Sequence, residues 1–304
     1  MPDKYIIIGK NGQVGSQLMS LLGQSAVGYS HNDCDFTKYS EVEKILSSAN
    51  PKIIFNAAAY TNVDKAEDEY DDALIGNRDI PKVLATYCKQ ANIPLVHYST
   101  DYVYPGDGEQ ANKESDSPCP INKYGKSKLA GELKVVESGC KHLIFRTSWV
   151  YDWHNKNFLT TMIKLAKERD SLSIVSDQIG APTYAFDLAK RSIDAANNAT
   201  KLDEFPSGIY NLCNEGTTSW YEFANEIFIN AKNLGMELKI EKVTPIKTNE
   251  YPTPAKRPLN SRLDCSKAKS ILQIQMPAWK ESLIKCMEKV VENTEDPNKR
   301  SISC

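Results

Sequence analysis

Near its start the chain reads Tyr5-Ile6-Ile7-Ile8, a continuous apolar run, and passes at once into Gly9-Lys10-Asn11-Gly12-Gln13-Val14-Gly15. An unbroken apolar run fits a strand covered on both faces, which is the situation of a parallel sheet flanked by helices. Val14, Leu18, Leu21 and Leu22 then mark one face of a helix. Strand, glycine-rich turn and helix in this order form the phosphate site of a dinucleotide fold. Glycine lets the backbone turn sharply and approach a pyrophosphate, and the helix N-terminus offers free N–H groups and the positive end of its dipole. The spacing is G-x-x-G-x-x-G, not G-x-G-x-x-G, and the bland alternative is a tight strand-to-helix turn.

The same alternation continues downstream. Ala26 to Tyr29, Pro51 to Asn56, Ile93 to Ser99 and His142 to Arg146 read as further strands, separated by helical patterns. The fold class that follows is α/β, a Rossmann-type doubly wound parallel sheet with a smaller α/β C-terminal substrate-binding lobe. At 304 residues the chain is long for one core. Residues 1–150 are expected to form the dinucleotide-binding domain and 151–304 the interleaved lobe, with segments near 172–197 and 208–213 returning to the first domain. Ser40 with Glu43 and Ser219 with Glu222 read as helix capping boxes, and Pro81 as a kink or break in the helical stretch from about Asp71 to Gln90.

A formal net charge of −2 and the lack of a basic run give no footprint for nucleic acid. No apolar stretch approaches a membrane span and no secretory leader is visible, so a cytoplasmic protein is expected. The eight cysteines contain no C-x-x-C pair and the four histidines stand at no metal spacing. The thiols read as reduced and mostly structural.

Ligands of doubly wound sheets bind beyond the carboxyl ends of the strands. Those ends carry Ala57-Ala58-Ala59-Tyr60-Thr61, whose small residues allow a flat cofactor to approach, and Ser99-Thr100-Asp101-Tyr102. The second strand ends in Tyr29-Ser30-His31 without the usual ribose-binding acid, which leans towards NADP over NAD. Asp35 is either a cofactor contact or part of a helix entry. Tyr124 and Lys128 lie four apart at the start of a helix, so both fall on one face. A phenol beside an ammonium is a proton donor whose pKa, ordinarily about 10, the positive charge lowers. Such a pair can protonate a nascent alkoxide.

The glycine turn, Ser99-Thr100-Asp101-Tyr102-Val103 and Tyr124-Gly125-Lys126-Ser127-Lys128 together resemble the extended short-chain dehydrogenase/reductases. Asn56 to Thr61 with Val63-Asp64-Lys65-Ala66-Glu67, Arg146 to Tyr151, Asp177 to Thr183 and Arg257 to Asp264 resemble, more narrowly, the dTDP-4-dehydrorhamnose reductase family, nearly end to end. The resemblance implies that NADPH or NADH delivers hydride to the C4 ketone of a dTDP-4-dehydro-6-deoxy sugar. It implies Tyr124 as general acid, Lys128 as holder of the nicotinamide ribose and Thr100 as the group polarising the ketone. Gly9, Asn11, Gly12, Gln13 and Val14 would meet the pyrophosphate, Asp35 and Phe36 the adenosine end, and Ala57, Ala58, Ala59, Tyr60, Thr61 and Ser99 the nicotinamide side. Asp101, Tyr102, Trp149, Gln178 and Arg257 would line the nucleotide-sugar site, although Trp149 taken alone reads as a core tryptophan. Some family members join dimers through acidic residues and magnesium. Gln17 and Phe186 stand where carboxylates would be needed, so no metal is expected, and a homodimer is left open. The rival readings are a cofactor-binding regulatory subunit of the methionine adenosyltransferase beta type, and another nucleotide-sugar reductase, dehydratase or epimerase. The intact Thr100, Tyr124 and Lys128 set opposes the first. Asp101-Tyr102 in place of an Asp-Glu pair opposes dehydration.

Overall fold

The computed structural model describes residues 4–295. Strand β1 (Lys4–Ile8) alternates its isoleucines between two cores, with Ile7 on one face of the sheet and Ile6 and Ile8 on the other. It pairs in parallel with β2 (Ala26–Tyr29) on one side and β3 (Pro51–Asn56) on the other. The sheet continues through β4 (Leu95–Thr100), β5 (His142–Thr147) and an edge strand at Gly208–Asn211, all parallel. The chain therefore winds one way from β1 to β2 and the other way from β3 outward, leaving the crevice at the carboxyl ends of β1 and β3. This is the Rossmann-type arrangement.

Helix α1 (Gln13–Leu22) packs with the helix Ala185–Ala199 on one face. Helices α2 (Tyr39–Ala49), α4 (Ile80–Ala91) and α5 (Lys123–Glu137) cover the other. A short α3 (Tyr70–Leu74) runs into a π-helical turn, Ile75–Asp79, directly before α4. Pro81 sits in the first turn of α4, where its missing N–H is no loss, so the expected interruption falls at the π turn. The capping box expected at Ser40 and Glu43 is absent. Helix α2 begins at Tyr39, and its entry is held by Asp35, whose Oδ1 accepts from the Thr37 N–H at 3.1 Å. Ser219 and Glu222 do form the reciprocal cap.

Leu172–Val175 does not join the central sheet as expected. Ser171–Val175 pairs in parallel with Lys242–Ile246, in a two-stranded sheet of the lobe. Leu172 and Ile174 have one apolar partner, the lobe core around Phe223, Ile227 and Leu283, and alternate with exposed serines. A second lobe sheet joins Thr218–Ser219, Ile179–Gly180 and Asn260–Ser261. Among the described residues no helix is long and apolar enough to cross a membrane.

Beneath the carboxyl end of β4 lies a buried ion pair. Arg146 of β5 donates through Nε and Nη2 to the two oxygens of Glu132 on α5 at 2.9 and 2.6 Å, and through Nη1 to the Tyr104 hydroxyl at 2.9 Å. Ser99 also donates to Glu132, and Tyr104 donates to Asn211 of the edge strand at 3.1 Å. The lobe is tied to α1 by a second buried carboxylate. Gln17 donates its amide to both oxygens of Asp152 at 3.0 and 2.8 Å. Phe186 stacks against Tyr184. Among the described residues no group of three or more His, Cys, Asp or Glu side chains could hold a metal ion. Burial raises the Asp152 carboxyl to about 7.

Arg146→Met should leave Glu132 charged and unpaired, costing about 3–5 kcal/mol in urea denaturation, whereas Arg146→Met with Glu132→Leu should recover most of it. Equal losses in both variants would contradict the pairing. Asp152 holds its proton in the folded chain to higher pH than in the unfolded chain. Its contribution is therefore present below about pH 4 and is lost as pH rises towards 7, by up to about 1.4 kcal/mol per pH unit. Asp152→Asn should flatten the fall in urea midpoint between about pH 6 and pH 7, and an unchanged slope would refute the assignment.

Candidate active site

Gly9 follows β1 with φ +87°, a backbone that L side chains rarely adopt, and a Cβ there would lie 2.6 Å from the Ala58 nitrogen. A Cβ on Gly15 would lie 2.0 Å from the Gly9 oxygen. These two glycines bring β1, the Ala57–Ala58 turn and α1 together. Gly12 caps α1 without any side-chain hydrogen bond, so the first-turn N–H groups face outward as an anion site would need. Gln13 and Val14 begin that turn, and the Asn11 carbonyl accepts from Asn155 at 3.3 Å.

An acid, Asp33, stands four residues past the end of β2. Asp33 folds back so that its Oδ2 accepts from the Ser30 N–H at 2.7 Å and from Lys10 of the glycine turn at 2.9 Å. The Ser30 backbone bond, then Lys10, hold its carboxyl down at about 2. The Asx-type fold-back was the available signal, since an aspartate readily bonds the backbone a few residues away. Asp35 serves the turn into α2, and Phe36 is packed in the core with Val42 and Leu46. Ser99 turns its hydroxyl to Glu132, away from the strand-end cleft.

Ala57, Ala58, Ala59, Tyr60 and Thr61 follow β3. Their path is fixed by Asn77 in the π turn, which accepts from the Tyr60 N–H and donates to the Tyr60 carbonyl, both at 3.0 Å. Asn77 also donates to Ser127 of α5 at 2.9 Å, so one buried amide joins the β3 loop to the helix of Tyr124.

Helix α5 starts at Asn122, whose Oδ1 accepts from the Gly125 N–H at 2.8 Å, while Glu67 accepts from the Lys123 N–H at 2.9 Å. A Cβ on Gly125 would lie 2.2 Å from the Tyr102 carbonyl, so the glycine permits the helix start to press on the turn after β4. Tyr124 then meets Tyr102 edge to face at 5.6 Å. Burial, then the Asp101 carboxylate, push the Tyr124 phenol above its ordinary pKa, and a hydrogen bond with Thr100 opposes them. The expected lowering by Lys128 is therefore not what the structure shows. Lys128 donates instead to the Tyr98 carbonyl at 2.6 Å, and burial brings its ammonium down to about 8. Thr100 donates to Asp101 at 3.1 Å and accepts from the Tyr102 N–H at 3.2 Å. Asp101 is raised to about 6 by burial, and its Oδ2 has no partner.

From the lobe, Arg257 reaches Asp64 at 2.7 Å and also acts on the Tyr102 phenol, which burial pushes up to about 12. Trp149 has φ +48° and stacks on Trp220 with centroids 3.7 Å apart and planes 14° apart. Gly180 lies beside its ring, where a Cβ would be 2.8 Å away. Trp149 is thus half-buried, with Trp220 against one face. Gln178 accepts from the Trp220 indole N–H at 3.1 Å and donates to Thr248 at 3.2 Å. Its amide is engaged in holding Trp220, which sequence reasoning missed because only the helix cap before it was legible.

A family profile described as the RmlD substrate binding domain matches residues 3–292. A dTDP-4-dehydrorhamnose reductase of Escherichia coli is 39% identical over 295 residues, which cover 95% of this chain and 98% of that one. The enzyme of the same name from Salmonella typhimurium is 41% identical over 282 residues, covering 90% and 93%. The crystal structure of dTDP-4-dehydrorhamnose reductase from Bacillus anthracis in complex with NADP superposes with a TM-score of 0.87 at 37% identity, covering 95% of this chain and all of that one. The chain belongs to the dTDP-4-dehydrorhamnose reductase family.

Proposed function

We propose that this chain reduces the C4 ketone of dTDP-4-dehydro-6-deoxy-L-mannose to dTDP-L-rhamnose with NADPH or NADH, the last step of dTDP-rhamnose synthesis. The observation that carries the reading is the convergence of Thr100, Tyr124 and Lys128 at the end of β4, beside a glycine turn that fits a dinucleotide. Consumption of reduced nicotinamide suits the cytoplasm. All these residues come from one chain, so the reading holds for a monomer or a homodimer. We assign cofactor binding to residues 1–150 and sugar-nucleotide binding mainly to 151–304.

The Gly9–Gly15 turn and the uncapped start of α1 fit a pyrophosphate, with Ala57 to Thr61 along the nicotinamide side. Bound reduced nicotinamide supplies the hydride. Tyr124 remains a neutral phenol well past neutral pH and so is charged with a proton before the chemical step. It donates that proton to the C4 oxygen as negative charge develops there, while the Thr100 hydroxyl polarises the same oxygen. Lys128, held by the Tyr98 carbonyl, would hold the nicotinamide ribose. Trp149, backed by Trp220, braces the deoxysugar, and Arg257 and Tyr102 flank it.

Purified protein mixed with the 4-keto sugar nucleotide and NADPH should consume NADPH absorbance. Absence of turnover by the wild type would sink the reductase reading. Tyr124→Phe should lower kcat by roughly 10²–10⁴-fold with NADPH binding retained, and full activity would remove Tyr124 as the acid. Trp220→Ala should raise KM for the sugar nucleotide more than it lowers kcat. An unchanged KM would show that the tryptophan stack has no part in substrate binding.

A further inference from the structure

Behind the catalytic groups two thiols meet that the reaction does not use. Cys213 comes just after the edge strand Gly208–Asn211, and Cys265 stands between the lobe segment Asn260–Asp264 and the helix Ser266–Leu272. Their Sγ atoms are 3.6 Å apart, across 52 residues of chain. Both line a cavity of about 350 Å³, together with Leu212, Leu263 and Met276, to which Thr100, Tyr124 and Lys128 do not contribute. Cys213 is buried, in a cluster with Val103, Tyr104 and Ala181, and Cys265 is partly exposed.

The two sulfurs differ in chemistry as well as position. The contact between the sulfurs lowers the Cys265 thiol and raises Cys213, which burial raises further, and the Cys265 thiol also lies 4.0 Å from the Leu263 carbonyl. Cys265, the partly exposed residue of the pair, is the one a dissolved peroxide meets first, with the buried Cys213 behind it. Cys88, Cys140 and Cys286 are buried with their thiols raised by burial, as inert structural cysteines are. The pair also borders the site: the Asp101 carboxylate acts on Cys213.

We propose that Cys213 and Cys265 are a peroxide-responsive dithiol, oxidised by hydroperoxides to a disulfide that fastens the lobe segment Asn260–Asp264 to the end of the central sheet. The Cys265 thiolate attacks the peroxide oxygen, breaking the O–O bond, and becomes a sulfenic acid while the leaving hydroxide is protonated to water. The Cys213 sulfur then attacks the Cys265 sulfur. The S–S bond forms as the S–O bond breaks, and the departing hydroxide takes the Cys213 proton to leave as a second water. The two thiols lose two protons and two electrons, and the peroxide is reduced to water or, for an organic hydroperoxide, to water and an alcohol. From 3.6 Å the sulfurs need to close to the bond length of about 2.05 Å.

The test uses the full chain with Cys119→Ser and Cys304→Ser, so that the exposed thiol and the terminal one do not compete. Stoichiometric hydrogen peroxide should lower the intact mass by two hydrogens, and proteolysis should yield one linked peptide pair containing Cys213 and Cys265. The melting temperature should rise, because the link closes a long loop in the unfolded chain, and dithiothreitol should reverse both changes. Cys213→Ser should instead stop at a sulfenic acid on Cys265 that dimedone traps. Peroxide that adds oxygen to the wild-type pair without linking it, or that links either cysteine elsewhere, would overturn the proposal. Mass and melting readouts need no turnover, so the result is independent of the reductase reading.

Discussion

The seating of α5 on the carboxyl end of β4 is the contact on which the site depends. One glycine allows it, since a Cβ on Gly125 would collide with the Tyr102 carbonyl, and a second, Gly131, where a Cβ would lie 1.9 Å from the Asn77 carbonyl, seats the same helix on the π turn. With the backbone that close, Tyr124 reaches Thr100 and Lys128 reaches the Tyr98 carbonyl, two points along one strand. The buried Glu132–Arg146 pair locks the next turn of the same helix to β5. Removing a charge there would be felt through the position of α5, since the pair is fully enclosed and hydrogen-bonded on every side that the network reaches.

The electrostatics of the cleft favour protonated acids. Burial raises Tyr124, Asp101 and Tyr102 together, and the carboxylate of Asp101 adds to the effect on Tyr124. A nearby lysine was expected to pull the tyrosine the other way, and the spacing of four residues is correct for it. Spacing on a helix, however, fixes only the direction in which two side chains leave the backbone. The Lys128 ammonium donates instead to the Tyr98 carbonyl, which gives the buried charge a partner. For a reduction this is consistent chemistry, because the group that must deliver a proton is kept from losing it early.

Features written into consecutive residues were legible in the sequence. The apolar β1 run, the glycine turn and the Ser219–Glu222 cap each depend on neighbours a few positions apart, whereas the break expected at Pro81 is replaced by a π turn just before it. Trp220 stacks on a residue 71 positions away, and nothing local to either tryptophan announces that contact. Asp33 was passed over because an acid was sought at the strand terminus, whereas the chain turns and brings it back to Ser30. Gln178 and Ser99 stand in motifs of the right order, yet their polar atoms are consumed by Trp220, Thr248 and Glu132. A motif locates a segment, and only the packing around it says which way each side chain is spent.

Asn122 joins the two halves of the molecule. Its oxygen caps α5, and its amide nitrogen donates to the Lys256 carbonyl of the lobe at 2.8 Å, next to Arg257 and its bond to Asp64. Across this gap the Asn122–Lys256 hydrogen bond is worth about 1 kcal/mol, Asp64 also accepts from the Ala255 N–H at 3.2 Å, and the partly exposed ion pair adds at most about 1 kcal/mol. Asp64 thus holds both the Ala255 backbone and the Arg257 guanidinium, while Asn122 ties the same loop to the start of the helix that carries Tyr124. One side chain therefore serves both walls of the cleft, so that a change at Asn122 acts on the seat of Tyr124 and on the lobe loop at once.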